Sequence, residues 1–569
     1  MTQVAVPLAA ELTPTRRRLD RDDWLMRGGI CLMIVVLGVT LILPLWWLLS
    51  KSFENSDGAF VGLANYVEYF STPSLSASIW NSLFIALLST AIVLPLAFTY
   101  AYALQRSCMR WKGLFQGLAL IPILAPSLLP AISLIYLFGN QGFLKSWLFG
   151  QDIYGPIGIV ISQVFYCFPH ALMILLAALS MADARLYEAA DVLGASKVRV
   201  FFTVTLPGAK YGVISAGFVV FTLVMTDFGI AKVIGGQFNV LATDIFKQVI
   251  GQQNFSMGAV VGFVLLIPAV LAFFADRIIQ GRQVALLTAR AVPLTPKPES
   301  TRDNGLFLFC AVVGGLIFVL LAMSIWASFV TRWPYNLTLS LKNYSFGDFG
   351  SNGWSAYTNS LQLAAWTAVI GTGIIFVGAY LLEKTRSFAT GRAIAQFMAM
   401  LPMAVPGLVL GLAYIFFFNA KGNPFGFIYA TMAILVVNSI THFYTVSHLT
   451  ATTALKQLDH EFEAVSSSLK VSLLRTMTRV SVPVCLPAVL DISIYLFVNA
   501  MTTVSAVIFL YSTETNLASV TIINMDEGGF TAVAAAMAVT IVATSATVKI
   551  AHLFITRRLQ RRTQAWRQR

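Results

Sequence analysis

Residues able to do chemistry are few in this chain, and they are scattered. His170, His442 and His448 lie in or beside apolar stretches, each remote from other ligand types. No His/Cys/carboxylate spacing fits a metal, and no G-x-x-x-x-G-K-[ST] loop offers nucleotide phosphates a cradle. Cys31, Cys108, Cys167, Cys310 and Cys485 follow no disulfide or metal pattern and read as small packing residues. What remains is the carboxylate in an apolar setting, which inside a membrane marks a solute or ion path. Asp227, in MTDFGIAKVIGG, reads as a pathway group or as a hydrogen-bonded helix end, and both readings stay open. Asp491 reads as organising a helix end. No enzyme activity, metal or bound cofactor is expected of this chain.

The elements around these groups are apolar. Of 569 residues, 57% are hydrophobic and 11% charged, against about 25% charged in soluble domains. Apolar runs near 20 residues match the thickness of a bilayer core, and alternating strands are absent, so a helical bundle is expected. The runs predict an all-α, polytopic membrane protein with about twelve spans. They lie near 30–50, 80–104, 114–138, 157–180, 211–231 and 257–275, then 306–328, 360–382, 395–418, 426–447, 488–510 and 530–552. A polar amino-terminal segment (1–29), a Pro- and charge-bearing linker (281–305) and a basic tail (553–569) flank two domains, 30–280 and 306–552.

Those domains are one pattern written twice. Asn81-Ser82-Leu83 recurs as Asn359-Ser360-Leu361, and IPILAPSLLP (121–130) recurs as LPMAVPGLVL (401–410). Pro122 and Pro126 thereby match Pro402 and Pro406, at candidate gating or shaping positions where a missing N–H frees backbone carbonyls. Gly258-x-x-x-Gly262 and Gly407-x-x-x-Gly411 predict close helix packing. With the amino terminus inside, only Lys51, Lys145, Lys232, Lys247, Arg332, Lys342 and Lys421 of the 38 Lys and Arg residues lie outside. The positive-inside rule thus places both termini in the cytoplasm. The basic tail is read as an anchor near anionic lipid rather than a nucleic-acid contact.

Two polar stretches interrupt the oil on the cytoplasmic side. In EAADVLGASKVRVFFTVTLP (188–207), a short helix is expected to end at Gly194, and Ser196 to cap a second segment that Pro207 stops. Its partner is EFEAVSSSLKVSLLRTMTRVSVP (461–483), where Lys470 replaces the glycine and lacks its freedom at positive φ. The second loop is therefore expected to be shaped differently. Duplicated cytoplasmic helices suggest two docking points for a twofold partner.

The form E-A-A-x(3)-G-x(9+)-L-P between a fourth and a fifth span resembles the EAA loop of ATP-binding-cassette importer permeases. The similarity is to the type I group, with the fold of the methionine and maltose systems, and it covers the chain twice. The resemblance implies that Glu188, Ala189, Ala190, Gly194, Leu206 and Pro207 form one coupling loop. Glu463, Ala464, Lys470 and Pro483 form the other, with glutamate and alanine one position early. It further implies a homodimeric ATPase partner that uses ATP and Mg, a periplasmic solute-binding protein, and alternating access in a bacterial inner membrane. Fusion of two copies resembles ferric-iron importer permeases. LIYLFGNQGFLK (134–145), MTDFGIAKVIGG (225–236) and LATDIFKQVIGQQNFSMGAVVG (241–262) look closer to a branch for 2-aminoethylphosphonate, the favoured solute. Ferric iron comes second, then thiosulfate-like or polyamine-type solutes. An ion-coupled secondary transporter would show repeats without needing docking loops; a scaffold would not need paired proline-broken spans.

Overall fold

The computed structural model describes residues 21–284, 292, 294–349, 353–385, 388–459 and 461–563. Most of the 1–29 segment, part of the 281–305 linker and the end of the basic tail lie outside the described residues. The described chain is helical apart from one antiparallel hairpin, Val330–Arg332 with Asn336–Leu339, and an isolated bridge between Glu54 and Phe60.

Eight helices are long and apolar enough to cross a membrane, and eleven segments qualify when three bent pairs count as one each. With the shorter apolar helix Met432–His442, these segments account for the expected count of about twelve. The 426–447 segment is two shorter helices, Met432–His442 and Tyr444–Lys456, joined at Phe443. The bends have a common cause. Lys112–Leu124 turns by 103° into Leu128–Phe138, and Ala389–Ala404 by 113° into Gly407–Phe418. Pro122 and Pro402 sit in 3-10 turns just before each break. Pro126 and Pro406 then force the preceding residue out of the helical region, leaving Ala125 at φ −101°, ψ 145° and Val405 at φ −101°, ψ 115°.

The repeated Asn-Ser pair also has a structural task. Ser82 Oγ accepts the N–H of Leu241 at 2.8 Å, and Ser360 Oγ accepts that of Ala518 at 2.8 Å. Each hydroxyl thus caps, from a neighbouring span, the short helix Leu241–Phe246 or Ala518–Glu527. Asn81 and Asn359 brace the same turns by donating to the carbonyls of Asn239 and Asn516. Ser82→Ala or Ser360→Ala leaves a buried N–H unpaired and is expected to cost about 1–3 kcal/mol. A lowered thermal midpoint of the purified protein is the measurement.

The two copies interlock. The first span, Arg21–Lys51, packs on Trp354–Lys384, Ala389–Met400 and Gly407–Phe418 of the second copy. The seventh, Ser300–Phe329, packs on Pro73–Arg106, Lys112–Leu120 and Leu128–Phe138 of the first. Small residues permit the close approach: Met33 reaches Gly378, and Leu118 reaches Gly314. Ser133 Oγ donates to the Leu320 carbonyl at 2.7 Å across this junction. The glycine pairs differ from the expected helix packing. Gly407 and Gly411 admit the backbone of the Ser505–Ala506 turn, and only Gly258 of the first pair is tightly covered, by Val249.

Candidate functional site

Residues 183–207 form the first polar loop at one end of the bundle. Asp183 caps the helix Ala184–Val192 by accepting the Arg185 N–H. Gly194, at φ +66°, ends it in a left-handed turn, with Ala195 N–H bonded to the Ala190 carbonyl and Gly194 N–H to that of Asp191. Ser196 then caps the next helix by accepting the Arg199 N–H. Tyr187 faces inward, its hydroxyl donating to Thr205 Oγ1 at 3.0 Å beneath the Arg106 guanidinium. Glu188, one residue on, is exposed and forms no hydrogen bond or ion pair with the described residues.

Pro207 does not stop the second segment as expected. Lys197–Thr226 is one 30-residue helix. A π turn, Phe201–Thr205, lets Leu206 N–H reach the Phe201 carbonyl and admits the proline without a break. The same device, Met477–Ser481, precedes Pro483 in the second copy. There a further proline, Pro487, follows four residues later, and the chain bends by 78° between Leu473–Val484 and Leu486–Thr502.

The second loop repeats the turn of the first. Lys470 adopts φ +52°, so the expectation of a different shape is corrected. Leu469 N–H bonds the Val465 carbonyl and Val471 N–H that of Ser466, as Leu193 bonds Ala189 and Ala195 bonds Ala190. This register sets Ala464, not Glu463, at the place of Glu188; both lie in the helix Glu461–Ser468. A lysine in the left-handed region is strained. Lys470→Gly is expected to stabilise the protein by about 1 kcal/mol, read as a raised thermal midpoint with uptake retained.

Each loop is braced by the start of the other copy's first span, a feature the sequence did not signal. Ala184 N–H donates to the Val292 carbonyl at 2.9 Å, and Lys197 pairs with Glu299. On the other side, Asp22 accepts the N–H of Leu473, the counterpart of Lys197, at 2.9 Å. The loop tips stay uncovered, with Val192 87% and Leu193 84% exposed, and Leu469 exposed in the second copy. Exposed apolar side chains beside a free carboxylate suit a protein contact. A cavity of about 1140 Å³ opens behind the second loop, lined by Thr450, Lys456, Phe462, Cys485 and Asp491.

Of the remaining carboxylates, Asp491 borders the second loop through that cavity, whereas Asp227 lies away from both loops. Asp227 stands at the far end of Lys197–Thr226, where its Oδ2 accepts the Ile230 N–H at 2.9 Å and Gln163 Nε2 at 3.1 Å. Its geometry is that of a helix-end carboxylate tied to a neighbouring span. Asp491 lies 3.3 Å from His552 Nε2 of the last span. At the face opposite the loops, burial pushes the Asp526 carboxyl up to about 6. No cluster of three or more metal-ligating side chains occurs among the described residues.

The sequence profile of binding-protein-dependent transport system inner membrane components matches residues 94–284 and again 371–563. The chain belongs to that family. It is a fused, two-copy permease of an ABC importer and a multi-pass inner membrane protein. A ferric transport system permease protein of Actinobacillus pleuropneumoniae is 28% identical over 471 residues, 80% of this chain and 67% of that protein. A Fe(3+)-transport system permease protein of Haemophilus influenzae is 23% identical over 87% of this permease and 91% of its own length. The spermidine/putrescine transport system permease protein PotB of the same organism is 27% identical, with 86% of its length covering 41% of this permease.

Proposed function

We propose that this permease passes a small solute from a periplasmic binding protein to the cytoplasm by alternating access, driven by a separate homodimeric ATPase that uses ATP and Mg. The observation that carries the reading is the pair of loops, 183–207 and 459–483, that close on the same left-handed turn, at Gly194 and at Lys470. Glu188, Ala189, Ala190, Gly194, Leu206 and Pro207 form the first ATPase contact; Glu463, Ala464, Lys470 and Pro483 form the second. With Ala464 at the place of Glu188 and Glu463 one residue earlier, the two contacts are chemically unequal. The excess of Lys and Arg on the loop face, both termini and the 281–305 linker supports placing them in the cytoplasm. The bends at Pro122, Pro126, Pro402 and Pro406 give the halves jointed segments beside the path, and Asp227 steadies one of those joints.

For the solute, the ferric permeases that match over most of this chain favour ferric iron. A second reading, 2-aminoethylphosphonate, is favoured by stretches 225–236 and 241–262, which bring Lys232 and Lys247 to one cavity at the face opposite the loops. The test is reconstitution with its cognate binding protein and ATPase. ATP-dependent uptake is expected, and uptake driven by a proton gradient without ATP would overturn the reading. Calorimetry of the binding protein with ferric iron and with 2-aminoethylphosphonate decides between the solutes.

A further inference from the structure

Opposite the loops, an ion pair joins the two copies. Lys232, on the helix Gly229–Ile234, pairs with Glu527, the last residue of Ala518–Glu527. Its ammonium also lies 4.7 Å over the ring of Phe246, which stacks on Phe509 of the second copy at 6.3 Å. The lysine side chain is only 20% exposed, the glutamate 51%. A charge held this far out of water is less screened than a surface ion pair. For the outer mouth to open, these short helices must part, and the pair resists their parting.

The same lysine lines a cavity of about 70 Å³ with Lys247, Asn239, Thr243 and Phe246, and no carboxylate lines it. Lys247 donates to Asn239 Oδ1. Thr243 Oγ1 is engaged with the Val240 backbone, so the lining groups that could meet an anion, once Lys232 leaves Glu527, are the two ammonium groups. Two ammonium groups and an amide around a space of a few water volumes suit one tetrahedral oxyanion.

We propose that the Lys232–Glu527 pair is an electrostatic latch between the copies, and that an oxyanion headgroup seated in the lysine-lined cavity competes for Lys232 and releases it. The ligand class is a phosphonate, phosphate or sulfate group. The inference rests on the alternating-access reading and deepens its solute-facing side.

The test needs no ATPase, so its failure is separable from failure of the importer reading. Spin labels are placed at the exposed positions Gln237 and Asn524, one per copy. The carrier is the purified full-length chain with exposed Cys31 and Cys108 changed to Ser. Lys232→Met or Glu527→Gln is expected to raise the long-distance population about fivefold. The exchanged pair, Lys232→Glu with Glu527→Lys, is expected to restore the short distance. Inorganic phosphate should shift the unaltered pair as Glu527→Gln does, and should fail with Lys247→Met. An unchanged distance in Glu527→Gln overturns the latch. A phosphate effect no larger than that of chloride at equal ionic strength overturns the release step. So does a chain already open in phospholipid nanodiscs and closed in lipid-free detergent, which would make a lipid headgroup the occupant.

Discussion

Glu188→Arg is expected to lower ATP-driven uptake at least roughly tenfold, with the protein inserted at normal abundance. Glu188 is exposed and engages none of the described residues, so reversing its charge removes no bond seen within them. Any large loss must therefore arise at a surface supplied by another protein. Burying the wrong charge at such a contact costs several kcal/mol, which is why the effect should exceed that of ordinary surface changes. The second loop provides the comparison. Its backbone holds the same turn, but Ala464 stands where Glu188 stands in the first. Ala464→Glu is therefore expected to leave uptake largely intact. Uptake in vesicles made with each variant, alongside ATPase copurification, checks both outcomes. Retention of full uptake by Glu188→Arg would remove the first loop from the coupling role.

Gly212→Val is expected to have the largest effect on folding. Gly212 lies one turn beyond Pro207, where Lys197–Thr226 crosses Pro156–Ser180. A β-carbon there would stand 2.3 Å from Cβ of Ala178, far inside any contact distance. Two helix backbones must separate to admit it, and neither neighbour has a flexible tip that could swing aside. Overpacking of this kind costs about 1–3 kcal/mol and sometimes more. The expected readout is a collapse in membrane-extracted protein and a broadened, early elution profile. Gly208→Val, in open space on the same helix, is the matched control and should behave as wild type.

Much of this architecture could be read from composition and spacing. The duplicated Asn-Ser pairs, the paired prolines and the polar loops all lie at corresponding places, because each is bound to a local backbone requirement. What could not be read depended on neighbours distant in sequence. Pro207 looked like a stop because a proline ordinarily ends a helix, whereas a five-residue π turn absorbs it. Lys470 looked unfit for positive φ, yet the closing hydrogen bonds around it hold that conformation. By contrast, the one-position offset of Glu463 from the place of Glu188 is legible in the equal spacing of Gly194–Pro207 and Lys470–Pro483, and the turn hydrogen bonds keep that register. Neither Asp22 with Leu473 nor Glu299 with Lys197 carries a motif; only the exchange of first spans brings them together.

That exchange also imposes a timetable on synthesis. About 340 residues separate Lys51 from Ala389, the start of the helix that receives the first span. At about 5–20 residues per second, the face of the first span that packs on the second copy must wait in lipid for roughly 15–70 s before those neighbours are made. During that interval Gly29, Met33 and the face around them meet only acyl chains or whatever insertion factor shelters them. A ribosome stalled between the copies would strand that helix without its seat. Two halves translated from separate messages could assemble only by threading one another's first helices, so joining them in one chain turns a search between molecules into a wait within one.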